Sequence, residues 1–221
     1  MRLDPGYCEA WARLGWIHAR DVQLACTADP RESIRQGFLA ARQAVALDSD
    51  SAVAHLSLST VHVWAGEMEI ALAEAQTALR LNPNYAHAAL AVGNRLDLLG
   101  QTQEGVAQMV KALKLNPRDP TRWLYMGYLS RALLSLGDYS AAAEWSQEAV
   151  SLRPNDPNIL YRHALCLAHL DRRAEAAALL DRCDELSPGY VANKAQWHAY
   201  PDAERSAHLV AGLGRHGLAQ P

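Results

Sequence analysis

Residues 81–117 read LNPNYAHAALAVGNRLDLLGQTQEGVAQMVKALKLNP, and the spacing inside this stretch decides the fold class. Apolar and small residues fall at Ala89, Val92, Gly93 and Leu96, then at Gly105, Met109 and Ala112. Those i, i+3, i+4, i+7 spacings mark one buried face on each of two successive helices. Gly100-Gln101 supplies the turn between them. Pro117 ends the second helix, because proline has no N–H to continue the ladder. Gly93, Gly105 and Ala112 are short where the two helices of a hairpin must come close.

The stretch begins and ends on the same tail, and that tail recurs along the chain. Leu3-Asp4-Pro5, Leu47-Asp48-Ser49, Leu81-Asn82-Pro83, Leu115-Asn116-Pro117, Leu152-Arg153-Pro154 and Leu186-Ser187-Pro188 share an apolar–polar–Pro form, with Ser once in place of Pro. Their last positions are 5, 49, 83, 117, 154 and 188, so the intervals are 44, 34, 34, 37 and 34. A period of this size is the mark of stacked supersecondary units, none of which can bury its apolar face alone.

The first unit carries the fuller motif, Trp11-x-x-Leu14-Gly15-x-x-His18, with Ala44 in a small-residue slot late in its second helix. The fourth repeats it as Trp123-x-x-Met126-Gly127, followed by Ala142, Ser146, Ala149 and Pro154. This pattern resembles the tetratricopeptide repeat family, whose W-x-x-L-G-x-x-Y it matches with His18 for the final Tyr. The resemblance implies an all-α, right-handed α-solenoid of about five helical hairpins plus a C-terminal capping helix pair. The expected organisation is a single domain over 1–221, with repeats at 7–49, 52–83, 86–117, 120–154 and 157–188 and a cap at 189–217.

Departures from the period carry their own expectations. Ten extra residues in the first unit, around Leu24-Ala25-Cys26-Thr27-Ala28, are expected in the inter-helix loop and the end of the first helix. Asp29-Pro30-Arg31-Glu32 reads as an N-cap, a first-turn proline and a capping box. Three extra residues before Gly137 are expected to lengthen the first helix of the fourth unit by about a turn. Arg2-Leu3-Asp4-Pro5-Gly6-Tyr7 reads as the tail of a repeat whose helices are absent, which suggests a piece of a longer protein. Gly189-Tyr190 is expected to open a short helix to His198. Pro201-Asp202 would then cap a final polar helix to Arg215, bearing Glu204, Arg205 and His208, that closes the stack.

Composition fixes what the chain binds less than what it does not. Half the residues are hydrophobic and the 21 basic residues are interleaved with 24 acidic ones, for a net charge of −3. That balance lacks the concentrated Lys/Arg surface that nucleic acid requires. No run of 18 apolar residues exists to span a membrane. Met1 is followed by no apolar stretch of the secretory kind. Cys8, Cys26, Cys166 and Cys183 form no C-x-x-C pair and read as reduced thiols, so a cytoplasmic location is expected.

By the same resemblance, the first helix of each hairpin lines a concave groove that holds an extended peptide or a helix. The groove residues so implied are Trp16 and Arg20 of the first unit, Thr60 and Trp64 of the second, and His87, Asn94 and Asp97 of the third. Tyr125, Tyr128 and Arg131 of the fourth unit and Asn158, Tyr161 and Arg162 of the fifth complete the set. Large amphipathic rings and amides suit protein interfaces. Leu56 and Leu90 stand where a carboxylate clamp of this family needs basic residues, so a receptor for chaperone tails is not expected. Trp11 and Trp123 fill the motif's packing slot and are expected in the core.

Catalytic groups, cofactors and metals are not expected. His163 and Cys166 lie one helical turn apart, with Cys183 on the next helix, but packing explains both cysteines. His55 and His62 are seven apart, about 10 Å along a helix, too far to share an ion. Gly212-Leu213-Gly214-Arg215-His216-Gly217 follows a helix, not the strand a phosphate loop needs. Glu67, Glu69 and Glu74 read as solvated. The expected function is therefore a scaffold for protein or peptide partners. A second copy docking on the N-terminal face near Tyr7, Trp11 and Trp16 is a further expected partner. The Asp29–Ser33 entry and the 212–218 ending are similar to C-terminal repeat regions of bacterial adenylate/guanylate cyclase-like and winged-helix signalling proteins. That similarity implies a regulatory module as the alternative.

Overall fold

The periodic stretches become helices, two to a repeat, in a computed structural model that describes residues 5–23, 26–195 and 203–215. They gather into two compact units, Met1–Gln101 and Thr102–Pro221. The first holds α1 (Cys8–Gln23), α2 (Pro30–Leu47), α3 (Ala52–Trp64), α4 (Met68–Leu81) and α5 (Ala86–Leu98). The second holds α6 (Thr102–Leu115), α7 (Arg122–Ser135), α8 (Tyr139–Leu152), α9 (Pro157–His169), α10 (Arg173–Leu186), α11 (Tyr190–Ala195) and α12 (Ala203–Arg215). The described residues include no strand, and the fold is a helical solenoid of repeats.

Within the first unit α1 packs on α2 and on α3, α3 on α4, and α4 on α5. Small residues make this closeness possible. Ala12, Ala44 and Ala54 form one fully buried cluster, and Ala19 and Ala41 sit with Val61 and Leu58 in another. Trp11 packs against the first cluster, in the motif's structural slot, and its indole Nε1 donates to the Pro5 carbonyl at 3.1 Å. In the second unit α7 packs on α8 and α9, and α9 on α10.

Hairpin turns are built alike. Gly66, Gly100 and Gly137 sit in the left-handed region, and Asp171 takes that place in the fifth repeat at φ 60. Each is followed by an N–H that reaches back to close the helix: Glu67 to His62, Gln101 to Leu96, Asp138 to Leu133 and Arg172 to Leu167. These six-to-one bonds satisfy carbonyls that the helix end leaves orphaned.

Several local expectations change. Asp29 does cap α2, accepting from the N–H groups of Arg31 and Glu32 at 3.1 Å. Glu32 does not close a capping box; its carboxylate takes Arg35 and Gln36, while the Asp29 N–H donates to Thr27 Oγ1 at 3.2 Å. The long first unit extends both helices, to 16 and 18 residues, against 13 or 14 in the hairpins that follow. Leu24 and Ala25 lie outside the described residues. In the fourth unit α7 has 14 residues, so its surplus goes mainly into the loop 116–121 and not into a helical turn.

That loop is organised by one buried carboxylate. Asp119 Oδ1 accepts from the Thr121 N–H at 2.7 Å and the Thr121 hydroxyl at 2.6 Å. Its Oδ2 accepts from Asn116 Nδ2 and from the Tyr125 hydroxyl, each at 3.0 Å. At the far end, α11 is described only to Ala195, so the expected helix end at His198 and the Pro201-Asp202 cap lie outside the described residues, as do Met1–Asp4 and His216–Leu218. The last helix is not polar all round: α12 buries Ser206, Gly212 and Leu213 and lies against α9 and α7.

Candidate binding surface

Four of the expected groove residues converge in the second unit. Tyr128 on α7 is half-buried, and two guanidinium groups lie against its ring, Arg131 at 5.5 Å and Arg162 at 5.6 Å from the centroid. Helical spacing places them: Arg131 follows Tyr128 by three residues on one face of α7, and Arg162 arrives from α9. Arg162 is held in place by Nη1 donating to the Gly127 carbonyl at 2.8 Å and Nε donating to Asn158 Oδ1 at 3.3 Å. A tyrosine face flanked by two such cations is attracted to both through its quadrupole. Arg162, half-buried, presents positive charge beside the aromatic plane, while Arg131 is buried against it.

In the first unit the expected residues form two smaller groups. Trp16 is 46% exposed with Arg20 at 5.4 Å from its ring, and Arg20 is turned by a bond to Gln23 at 2.8 Å. Thr60 donates to the Leu56 carbonyl and receives Arg95 Nη2 at 3.5 Å, an arginine the sequence reading did not single out. Trp64 packs against the Ala19–Val61 core cluster, and the His87 ring lies 5.9 Å from Tyr85.

Other expected groove residues are enclosed. Tyr125 and Asp97 have no exposure, and Asn94 and Tyr161 are each below 9%. Tyr125 points into the Asp119 loop, and Tyr161 packs edge-on to Tyr190 at 6.2 Å. Burial pushes the Tyr161 phenol up to about 12, and its hydroxyl has no hydrogen-bond partner among the described residues. Neither ring is offered to a partner, because the longer loop draws one inward and α11 covers the other. Of the glutamates expected in solvent, Glu67 and Glu69 are exposed and Glu74 is half-buried; Glu74 holds His55 Nδ1 at 2.6 Å and Glu67 pairs with His62 Nδ1.

The thiol and imidazole groups weighed for metal binding each have a packing role. His163 Nδ1 meets Ser146 Oγ at 2.8 Å, Cys166 Sγ meets Ser130 Oγ at 3.4 Å, and Cys183 donates to the Pro157 carbonyl at 3.3 Å. Ser146 Oγ also lies 3.0 Å from the Ala143 carbonyl, so the buried hydroxyl and imidazole satisfy each other inside the packing. Among the described residues no group of three His, Cys, Asp or Glu side chains gathers as a metal would need, and no helix is long and apolar enough to cross a membrane.

Comparison with known proteins agrees with this architecture. Residues 90–158 and 129–191 match the family model described as tetratricopeptide repeat. No curated protein matches the sequence. Among solved structures, PilF of Pseudomonas aeruginosa is similar at a TM-score of 0.67 and 20% identity, over 94% of this chain and 90% of its own. The Cut9–Hcn1 hetero-tetramer of the APC/C aligns at 0.72 and 19% identity, over 95% of this chain but 37% of the matched one. YrrB, a TPR protein with an unusual peptide-binding site, aligns at 0.57 and 19% identity, over 81% of this chain and 90% of its own. At these identities the likeness is one of fold. None of the three bears on the similarity to cyclase-like signalling proteins.

Proposed function

From the premise that this chain carries tetratricopeptide repeats, and so forms a protein–protein interaction module, we propose that its second unit binds an acidic segment of a protein partner across α7 and α9. The observation that carries this is the half-buried Tyr128 ring with the accessible Arg162 against it and Asn158 beside them, while the buried Arg131 adds its charge from the same ring. Carboxylates pair with guanidinium groups in bidentate fashion, and a tyrosine plane adds contact area at little entropic cost. No residue of the chain is assigned a catalytic role, and no cofactor is needed for this function.

The burial of Tyr125 and Tyr161 decides how the reading is tested, since truncating either would damage the fold before it touched a partner. Tyr128→Ala and Arg162→Gln are the informative variants. Partners captured by the full chain are expected to be lost or weakened about tenfold with either one, at unchanged helicity, as for an interface hot spot. Undiminished capture of the same partner by both variants overturns the assignment.

Self-association through α1 is a second reading, favoured by Tyr7, Trp16 and Ile17, which are 53%, 46% and 47% exposed. Light scattering over a concentration series tests it. Trp16→Ser is expected to shift any dimer toward monomer, and a monomer at every concentration refutes it.

A further inference from the structure

The last helix lies against the same helices that carry the proposed binding residues. α12 meets α9 and α7, and does so through one face. Arg205, His208 and Gly212 are spaced i, i+3, i+7, with Ser206 and Leu213 beside them. Arg205 Nη2 donates to Thr102 Oγ1 at 2.9 Å, at the start of α6. The His208 ring lies 6.4 Å from Tyr139, at the start of α8, and 5.4 Å from His169, at the end of α9. Tyr139 and His169 themselves stack at 4.6 Å. Gly212 makes the closest approach: a Cβ there would stand 2.8 Å from His169 Cδ2, 3.0 Å from the His169 nitrogen and 3.2 Å from the Ala168 carbonyl carbon. Two of those three atoms are backbone and cannot swing aside.

This contact is thin beside those inside the repeats. Among the described residues of α12 only Ser206, Gly212 and Leu213 are buried, whereas α9 buries ten. A helix that buries so few of its described residues opens at lower cost than the repeats unfold.

We propose that the surface made by the end of α9 and the starts of α6 and α8 is a docking site for an amphipathic helix, and that α12 is its resident, displaceable occupant. The incoming partner is a helix that offers the face α12 offers: a glycine against His169, a leucine beside it, and a cation seven positions earlier for Thr102. The inference rests on the chain's being an interaction module. It adds that the module regulates access to α7 and α9 through its own C-terminal helix.

The test uses the full chain and a fluorescein-labelled peptide of residues 203–215. Gly212→Val in the protein places methyl groups against the Ala168–His169 backbone and undocks α12, leaving the site open. A site occupied in nine molecules out of ten weakens a competitor about tenfold, so the labelled peptide is expected to bind Gly212→Val at least that much more tightly than wild type. A peptide carrying the same substitution is expected to bind neither. Equal binding of the normal peptide to both proteins, or binding to neither, overturns the proposal. If Gly212→Val loses its cooperative melt, hydrogen exchange of the wild-type chain decides. Exchange of α12 amides well ahead of α9 supports a displaceable helix, and exchange together with α9 refutes it. Capture of a partner at Tyr128 should strengthen in Gly212→Val; a loss there would overturn control of access by α12, whereas undiminished capture by Tyr128→Ala faults the Tyr128 surface and not this one.

Discussion

Tyr125 and Tyr161 are both buried, but their hydroxyls meet different surroundings. The Tyr125 hydroxyl donates to Asp119, whereas that of Tyr161 has no partner among the described residues. Removing a bonded hydroxyl from a buried carboxylate costs more than removing an unsatisfied one. Tyr125→Phe is therefore expected to lower stability by about 1–2 kcal/mol in urea unfolding, and Tyr161→Phe to change it by less than about 0.5 kcal/mol in either direction. A reversed order would show that the Asp119 loop does not hold Tyr125. None of this was legible in the sequence, where Asp119 stands between Arg118 and Pro120 like any exposed loop acid. Its four donors come together only once the loop closes. The Asp29 cap was legible, because capping depends on residues two and three positions away. His163 adds a pH dependence. Burial, and then Arg172, hold its imidazole down at about 4 from an ordinary 6.5. Between those values the unfolded chain binds a proton that the folded chain does not, so stability falls as pH drops from about 6.5 toward 4. Urea midpoints across that range should fall less steeply in His163→Asn, and an identical slope would remove His163 as a cause.

At the scale of helices, the same motif slot has opposite tolerances in two repeats. A Cβ on Gly15 would stand 2.8 Å from Ser57 Oγ, 3.0 Å from Ala41 Cβ and 3.1 Å from the Ala41 nitrogen. On Gly127 the nearest atom would be Ile159 Cδ1 at 3.6 Å, ordinary contact. Gly15→Ala is expected to destabilise by about 1–3 kcal/mol through overpacking of α1 on α2 and α3. Gly127→Ala should be neutral or gain up to about 1 kcal/mol, the helix-propensity difference. Thermal melts of the two variants check this, and equal losses would mean that α7 and α9 are packed as tightly as α1 and α2. The period revealed every hairpin but could not show this difference, because a glycine in the consensus reads alike whether its neighbour is backbone or a side-chain tip. Asp171 is a further case, holding φ 60 where three other hairpins use glycine. Asp171→Gly should raise the melting temperature, by relief worth about 1 kcal/mol, and a lower one would show that the Asp side chain is needed at the turn.

At the scale of the whole chain, cohesion runs mostly between neighbours in sequence. Ser57 reaches back 45 positions to the Ala12 carbonyl, and Arg162 reaches 35 to that of Gly127, whereas Arg205 spans 103 to Thr102. The neighbour contacts were legible, since a 34-residue period fixes which helix follows which. The return of α12 was not, because its amphipathic face serves a cap at the end of the stack as well as a helix laid back on α9. Stability in such an array is close to a sum of repeat and interface terms, so damage should stay near its source. Gly15→Ala is the sharpest probe, since α1 packs on α2 and α3. Its amide exchange should accelerate through α1, α2 and α3, fade along α4 and α5, and leave α9 and α10 at wild-type rates. A uniform acceleration across all helices would instead mean that the repeats unfold as one block. The thin contact of α12 would then share the full stability of the chain, and the case for its displacement would fail together with the additive picture.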